Sequence, residues 1–313
     1  MQTASFITLN TDTKEWQLVE EGVELLKTIE EPVTVVAVAG LYRTGKSYFL
    51  NCVAGTTGAK STTGPRVGST SESCTRGIDI CLPDAALAAP AKGGRLVLLD
   101  TEGLASMDQD ENYDAQVFSL ALLLSSYFVI NSMGVIDEAA IDRLYLMTEL
   151  SKTIQVSAAP ADSAAELAPF FPPLLWLLRD FVLDLTADGK TISEQEYMEA
   201  AISARSTNQR RAAERNDIRQ AIRELFPARR CRTLVRPAVD EESIRQAVKL
   251  EDAQLRPEFV KQMGTVRDEL LAAAPVKSLY GSALDGSMLA TLAQSYLDAM
   301  NAPGALPCIR SAW

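Results

Sequence analysis

The chain has 313 residues, 47% of them hydrophobic, enough to bury a sizeable core. Its net charge of −11 argues against a nucleic-acid partner or an anionic lipid surface. With no histidine and five cysteines that lack a C-x-x-C spacing, the sequence excludes Ser-His-Asp triads, Cys-His pairs and histidine metal sites, and favours neither a disulfide framework nor a zinc site.

Met1–Asn10 lacks the basic start and apolar core of a signal segment. Ser5–Leu9 predicts a short strand. Thr13–Ile29 places Trp16, Val19, Val23, Leu26 and Ile29 three or four residues apart, the spacing of an amphipathic helix. Val33–Ala39 reads as a strand buried on both faces, followed by a glycine turn and a helix from about Lys46 to Ala54. Gly55–Gly77 is rich in Gly, Ser and Thr and reads as a long functional loop. Ile78–Leu82 predicts an edge strand, Pro83–Gly94 a turn, and Arg95–Asp100 a second buried strand. Val117–Ile136 is the one stretch long enough to suggest a membrane span. Its serines, Asn131 and Gly134 favour a helix over Asn112–Ser125 and a buried strand over Tyr127–Asn131 instead. Asp137–Leu150 predicts a helix, Val156–Ala168 a loop, and Leu174–Leu178 a third buried strand. After Thr186 helix dominates, over Glu194–Phe226, Pro257–Ala274 and Asp285–Met300, with Cys231–Val235 as one more strand. The pattern predicts an α/β fold, a mostly parallel central β-sheet flanked by helices.

The chemistry concentrates after the first buried strand. Gly40-Leu-Tyr-Arg-Thr-Gly45-Lys46-Ser47 fits G-x-x-x-x-G-K-[ST] at every fixed position. Glycines let consecutive N–H groups face phosphate oxygens, and the positive end of the next helix points the same way. Lys46 is placed to bridge the β- and γ-phosphates, and the Ser47 hydroxyl to ligate Mg²⁺. Asp100-Thr-Glu-Gly103 follows the second buried strand, where Asp100 serves as a water-mediated Mg²⁺ partner and the Gly103 N–H senses the γ-phosphate. The guanine-selecting tetrapeptide N-K-x-D is missing. Arg179-Asp180 at a strand end is the candidate substitute, because one carboxylate can accept from guanine N1–H and N2–H₂ together.

GLYRTGKS, VGSTSESCTRGI, LVLLDTEGL and LLRD, in this order, resemble the guanylate-binding proteins, large GTPases of the dynamin superfamily. The likeness runs on through LLLSSYFVINSMG, FVLDLTADGK and Leu306-Pro-Cys308. It implies a P-loop NTPase fold of the dynamin type, a large GTPase domain over residues 1–313, and a helical domain expected after residue 308 that this chain lacks.

The resemblance further implies Mg²⁺ as cofactor, GTP as substrate, and a nucleotide-dependent homodimer. It makes Arg43 an internal arginine finger, catalytic with Lys46, Ser73 and Glu102, the last two orienting the attacking water. Ser47, Thr75 and Asp100 become the metal set. The nucleotide contacts become Gly40, Tyr42, Arg43, Thr44, Gly45, Lys46, Ser47, Tyr48, Gly103, Arg179, Asp180, Arg236 and Pro237. Cys74 stands where the family commonly has histidine. Ala105-Ser106 replaces a Gly-Asp that serves a second cleavage, from GDP to GMP. Arg236-Pro237 is followed by the acidic Asp240-Glu241-Glu242 rather than by basic residues. The expected activity is hydrolysis of GTP to GDP. The alternative is a GTP-loaded interaction module with negligible hydrolysis. The expected location is the cytoplasm, with any recruitment to internal membranes carried by segments outside this chain.

Overall fold

The computed structural model describes residues 1–58, 64–65, 75–104, 111–138, 140–141, 171–204 and 210–301. In chain order, β1 (Gln2–Leu9), β2 (Trp16–Leu18) and α1 (Glu20–Lys27) precede β3 (Val33–Ala39) and α2 (Lys46–Ala54). Then come β4 (Ile78–Leu82), β5 (Arg95–Thr101), α3 (Glu111–Leu124), β6 (Tyr127–Met133) and β7 (Leu174–Arg179). A small hairpin, β8 (Thr186–Ala187) and β9 (Lys190–Thr191), leads to α4 (Glu194–Ala201), α5 (Arg210–Leu225), β10 (Arg229–Leu234) and α6 (Glu241–Arg245). The described chain closes with α7 (Pro257–Ala273), the hairpin β11 (Ser278–Leu279) and β12 (Ser282–Ala283), and α8 (Gly286–Asn301).

Eight strands form one sheet in the order β10-β7-β6-β3-β5-β4-β1-β2. The pairings from β10 to β5 are parallel, and those from β5 to β2 are antiparallel. The expected mostly parallel α/β sheet is present, with β3 at its centre. Every residue of β3 is buried because both faces are covered. Val33, Val35, Ala37 and Ala39 pack into the layer of α1, α3 and α8, while Val36 and Val38 pack against α2 and α7. Alternation along one strand thus feeds two cores.

The structure corrects several expectations. Residues 13–18 are not helical. Asn10 Oδ1 accepts from the Asp12 and Thr13 N–H groups, and Lys14 adopts φ +60°, so the chain turns back and Trp16–Leu18 pairs with β1. The helix begins only at Glu20. Ile78–Leu82 is interior rather than an edge, because the distant β1 pairs along it from Gln2↔Leu82 to Ile7↔Ile78. Glu194–Phe226 is two helices, the first closed by Ile202 and the second running over Arg210–Leu225. Val156–Ala168 and most of Asp137–Leu150 lie outside the described residues. Among those described, no helix is long and apolar enough to cross a membrane.

One buried charge shapes the far end of the sheet. Lys277 Nζ donates to the Leu123 and Ser125 carbonyls at the end of α3, 2.6 and 2.8 Å away. Burial pushes its pKa down to about 7, from an ordinary 10.5. The unfolded chain therefore binds more protons between pH 7 and 10.5, so this group's contribution to stability rises with pH across that window and is flat below it. Urea midpoints of the parent, measured against Lys277→Met, are expected to climb between pH 7 and 9.5; a pH-independent difference contradicts the assignment.

Candidate nucleotide site

β3 ends beside β6 at a close approach. A Cβ at Gly40 would strike the Asn131 carbonyl oxygen, so the first glycine of the loop is a packing requirement. The chain then passes through Arg43 at φ +59° and Gly45 at φ +79° before α2 starts. The first N–H groups of α2 have no partner within the helix and lie at its positive end. The loop is laced to the end of β5. Tyr42 N–H donates to the Leu104 carbonyl (3.0 Å) and Leu104 N–H to the Gly40 carbonyl (3.1 Å). A Cβ on Gly103 would collide with Tyr42 Cα, so this glycine too is required by proximity.

Two buried polar side chains hold the loop from below. Asn131 Nδ2 on β6 donates to the Thr44 carbonyl at 2.8 Å, and Arg179 Nη1 on β7 donates to the Gly45 carbonyl at 3.1 Å. Sequence reasoning missed Asn131 in this role; its only signal was an amide directly after four apolar residues, Tyr127–Ile130, in a buried strand. Asn131→Ala leaves the Thr44 carbonyl without its donor, a cost of about 1–3 kcal/mol. We expect a lowered denaturant midpoint together with weaker nucleotide binding, read by urea unfolding and by titration with a fluorescent GTP analogue.

Three charged side chains around the loop, Lys46, Asp100 and Glu102, are buried. Lys46 is buried, its Nζ donating to the Leu41 carbonyl at 3.2 Å. Burial pushes its pKa down to about 8, against the opposing pull of Asp100, Glu102 and Asp114. Asp100 is 1% exposed; its Oδ2 accepts from Ser47 Oγ (2.5 Å) and Thr75 Oγ1 (3.4 Å). Its Oδ1 is buried with no hydrogen-bond partner among the described residues. Burial raises the Asp100 carboxyl, while Ser47 and Lys46 pull it back. An orphaned carboxylate oxygen beside two hydroxyls is a hard-oxygen donor set, which suits Mg²⁺ held partly through water. Glu102, also buried, accepts on Oε2 from the Gly77 N–H (3.0 Å) and the Tyr113 hydroxyl (2.5 Å).

The far end of the cleft is built from β7 and β10. Arg179 stays beneath the loop, its guanidinium 5.9 Å from the Tyr48 ring centre. Tyr48 in turn stacks on Phe259 at 6.0 Å. The Tyr48 side chain therefore belongs to the core, and what it can offer a ligand is its main-chain N–H. Asp180 sits at the end of β7 at φ +54°, a conformation unusual for a non-glycine residue. Its Oδ2 lies 3.4 Å from Arg236 Nε, and Arg236 Nη2 reaches Glu241 Oε1 at 3.0 Å. The Pro237 carbonyl accepts from Arg256 N–H (2.8 Å), which anchors the segment after Arg236. Arg43 is exposed, its guanidinium 5.2 Å from the Tyr42 ring centre. Ser73, Cys74 and Ala105-Ser106 lie outside the described residues.

A sheet of this order, with a glycine loop between its central strand and a helix, defines a P-loop nucleotide-binding domain. The profile described as guanylate-binding protein, N-terminal domain, matches residues 13–279. The chain belongs to the guanylate-binding protein family. It is 40% identical to guanylate-binding protein 2 of Rattus norvegicus over 304 residues, 94% of this chain and 49% of that protein. It is 38% identical to guanylate-binding protein 2 of Homo sapiens over 311 residues, 96% of this chain and 51% of that one. The figures for human guanylate-binding protein 1 are 38% over 302 residues, covering 93% and 49%. The chain thus spans about half the length of the curated relatives it matches.

Proposed function

We propose that this chain binds GTP with Mg²⁺ and hydrolyses the β–γ bond to give GDP and inorganic phosphate, fastest as a nucleotide-dependent homodimer. One arrangement carries the reading. A buried ammonium, Lys46, rests on a backbone carbonyl, near a buried carboxylate, Asp100, with an orphaned oxygen. Each is a charge removed from water and only partly offset by the other, and a triphosphate with its dication would supply further counter-charge to both.

In this reading the α2 N–H groups and Lys46 seat the β- and γ-phosphates. Ser47 and Thr75 would hold Mg²⁺ through their hydroxyls and Asp100 through water; the ion would neutralise phosphate charge. Ser73 and Glu102 orient the attacking water. With no histidine in the chain, its proton passes to a phosphate oxygen through solvent. Arg43 leaves the Tyr42 ring for the transition-state charge. Asp180 reads guanine, consistent with the names of the relatives. A second copy of the chain closes this face, and GTP and GDP are its small-molecule partners. The protein acts in the cytoplasm, and any membrane contact comes from segments outside this chain.

Product analysis after incubation with GTP and Mg²⁺, at several protein concentrations, tests the proposal. We expect GDP and phosphate, released at a rate per molecule that rises with protein concentration. Tightly bound, intact GTP at every concentration would instead mark a switch module and overturn the hydrolytic reading.

A further inference from the structure

Glu102 is gripped from outside the phosphate loop. Its two bonds share one oxygen, Oε2, with the Gly77 N–H on one side and the Tyr113 hydroxyl on the other. Tyr113 lies in the first turn of α3 and is buried. Its ring lies on Trp16, with centroids 5.2 Å apart and planes 25° from parallel. Trp16 is itself immobilised. Its Nε1 donates to Gln116 Oε1 at 2.9 Å, one turn further along α3. Its main-chain N–H donates to Asn301 Oδ1 at 2.8 Å, and its carbonyl accepts from Asn301 Nδ2 at 2.7 Å. Asn301 is the last residue of α8. Residues 16, 102, 113 and 301 thus form one continuous set of contacts, from the reacting end of the site to the end of the last described helix.

We propose that Tyr113 is the positioning residue for Glu102, and that Trp16, clamped by Asn301, holds Tyr113 in place. The inference rests on the hydrolytic reading above. A carboxylate held by one donor turns about its terminal torsion, whose energy well is broad. Two donors on the same oxygen fix its plane and leave the other oxygen's lone pairs to a water. Burial and the neighbouring Glu102 both raise the Tyr113 hydroxyl far above its ordinary pKa, so it remains a donor. The bond is charge-assisted and enclosed, the kind that orients most strongly. The stack on Trp16 resists lateral movement of the ring. The double clamp by Asn301 ties that stack to α8, so the alignment of Glu102 depends on where the last turn of α8 sits.

The test is single-turnover GTP hydrolysis by the full chain with Mg²⁺, alongside nucleotide titration and thermal unfolding. Tyr113→Phe keeps the ring and its stack and removes only the hydroxyl. We expect its rate constant to fall about ten- to hundredfold, the scale of one hydrogen bond to a charged group. Nucleotide affinity should match the parent, while the unfolding midpoint falls because the buried Glu102 carboxylate keeps only one of its two donors. Asn301→Ala should lower the rate in the same direction by a smaller factor. A parental rate in Tyr113→Phe, with the parent hydrolysing GTP, would overturn this inference and leave the function standing. A loss of affinity in step with the rate would mark a merely structural tyrosine and overturn it too. A parent that releases no phosphate would remove both readings.

Discussion

Arg43→Ala is expected to lower the rate constant for GTP hydrolysis by about 10³-fold or more, the range of arginine fingers, while GTP affinity stays near the parental value. The split follows from where the side chain rests. Arg43 is exposed and lies over the Tyr42 ring at 5.2 Å. Such a contact is worth only about 0.5–1 kcal/mol at an exposed site, so leaving it costs little. A guanidinium placed on the charge of a departing γ-phosphoryl is worth about 4–7 kcal/mol when converted from those rate factors. In the proposed reading ground-state binding rests on Lys46 and the N–H groups of the loop and α2, which the substitution leaves in place. Arg43 also occupies φ +59°, a conformation that costs arginine and alanine alike about 1–2 kcal/mol, so Arg43→Ala adds no backbone strain. Arg43→Gly removes the same guanidinium and relieves that cost, so a rate lost in both variants belongs to the side chain. Arg43→Lys should not restore the rate, because an ammonium cannot fork across two oxygens. Single-turnover kinetics at saturating protein, beside titration with a non-hydrolysable analogue, reads all three variants. Parental rates in both Arg43→Ala and Arg43→Gly would take Arg43 out of catalysis.

The parts of this site legible in the sequence are those fixed by local backbone demands. Gly40, Gly45 and Lys46 keep their spacing because one turn must join a buried strand to a helix. Asp100 and Gly103 are readable because they close the next strand, at the end where ligands gather in parallel sheets. What escaped were contacts between residues far apart in the chain. Asn131 and Arg179 support the loop across gaps of 87 and 134 residues, and no periodicity announces such a bond. Trp16 fits a helical stripe with Val19, Val23 and Leu26. The turn made by Asn10 and the long register of β1 against β4 outweigh that stripe, so Trp16 lies in a hairpin and meets Tyr113. Ile78–Leu82 carries the same lesson. A strand looks like an edge until its partner, seventy-odd residues earlier, is known. The sheet's class and the glycine turns were local information; its order and the supports beneath the loop were not.

Asp180→Asn is expected to abolish the preference for GTP over ATP, with GTP affinity falling about 10²–10⁴-fold, the worth of two hydrogen bonds to a charged acceptor. Guanine presents N1–H and N2–H₂ side by side, and a carboxylate accepts both. Asparagine offers one acceptor and one donor, so one of its groups meets a like partner. Adenine presents no donor pair to either residue, so ATP binding should change little. Xanthine carries a carbonyl where guanine carries its amino group, so the variant should gain affinity for XTP. Asp180 faces Arg236 at 3.4 Å, and Arg236 is shared with Glu241 at 3.0 Å. With side chains 26% and 40% exposed, the Asp180–Arg236 pair is worth no more than about 1 kcal/mol. Guanine can therefore displace Arg236, which keeps Glu241 as a partner when it moves. It follows that Glu241→Gln, which removes that second partner, should weaken GTP binding by a smaller factor and leave ATP unaffected. Competition binding with GTP, ATP and XTP separates these cases. Unchanged selectivity in Asp180→Asn would move the guanine-reading role away from the end of β7.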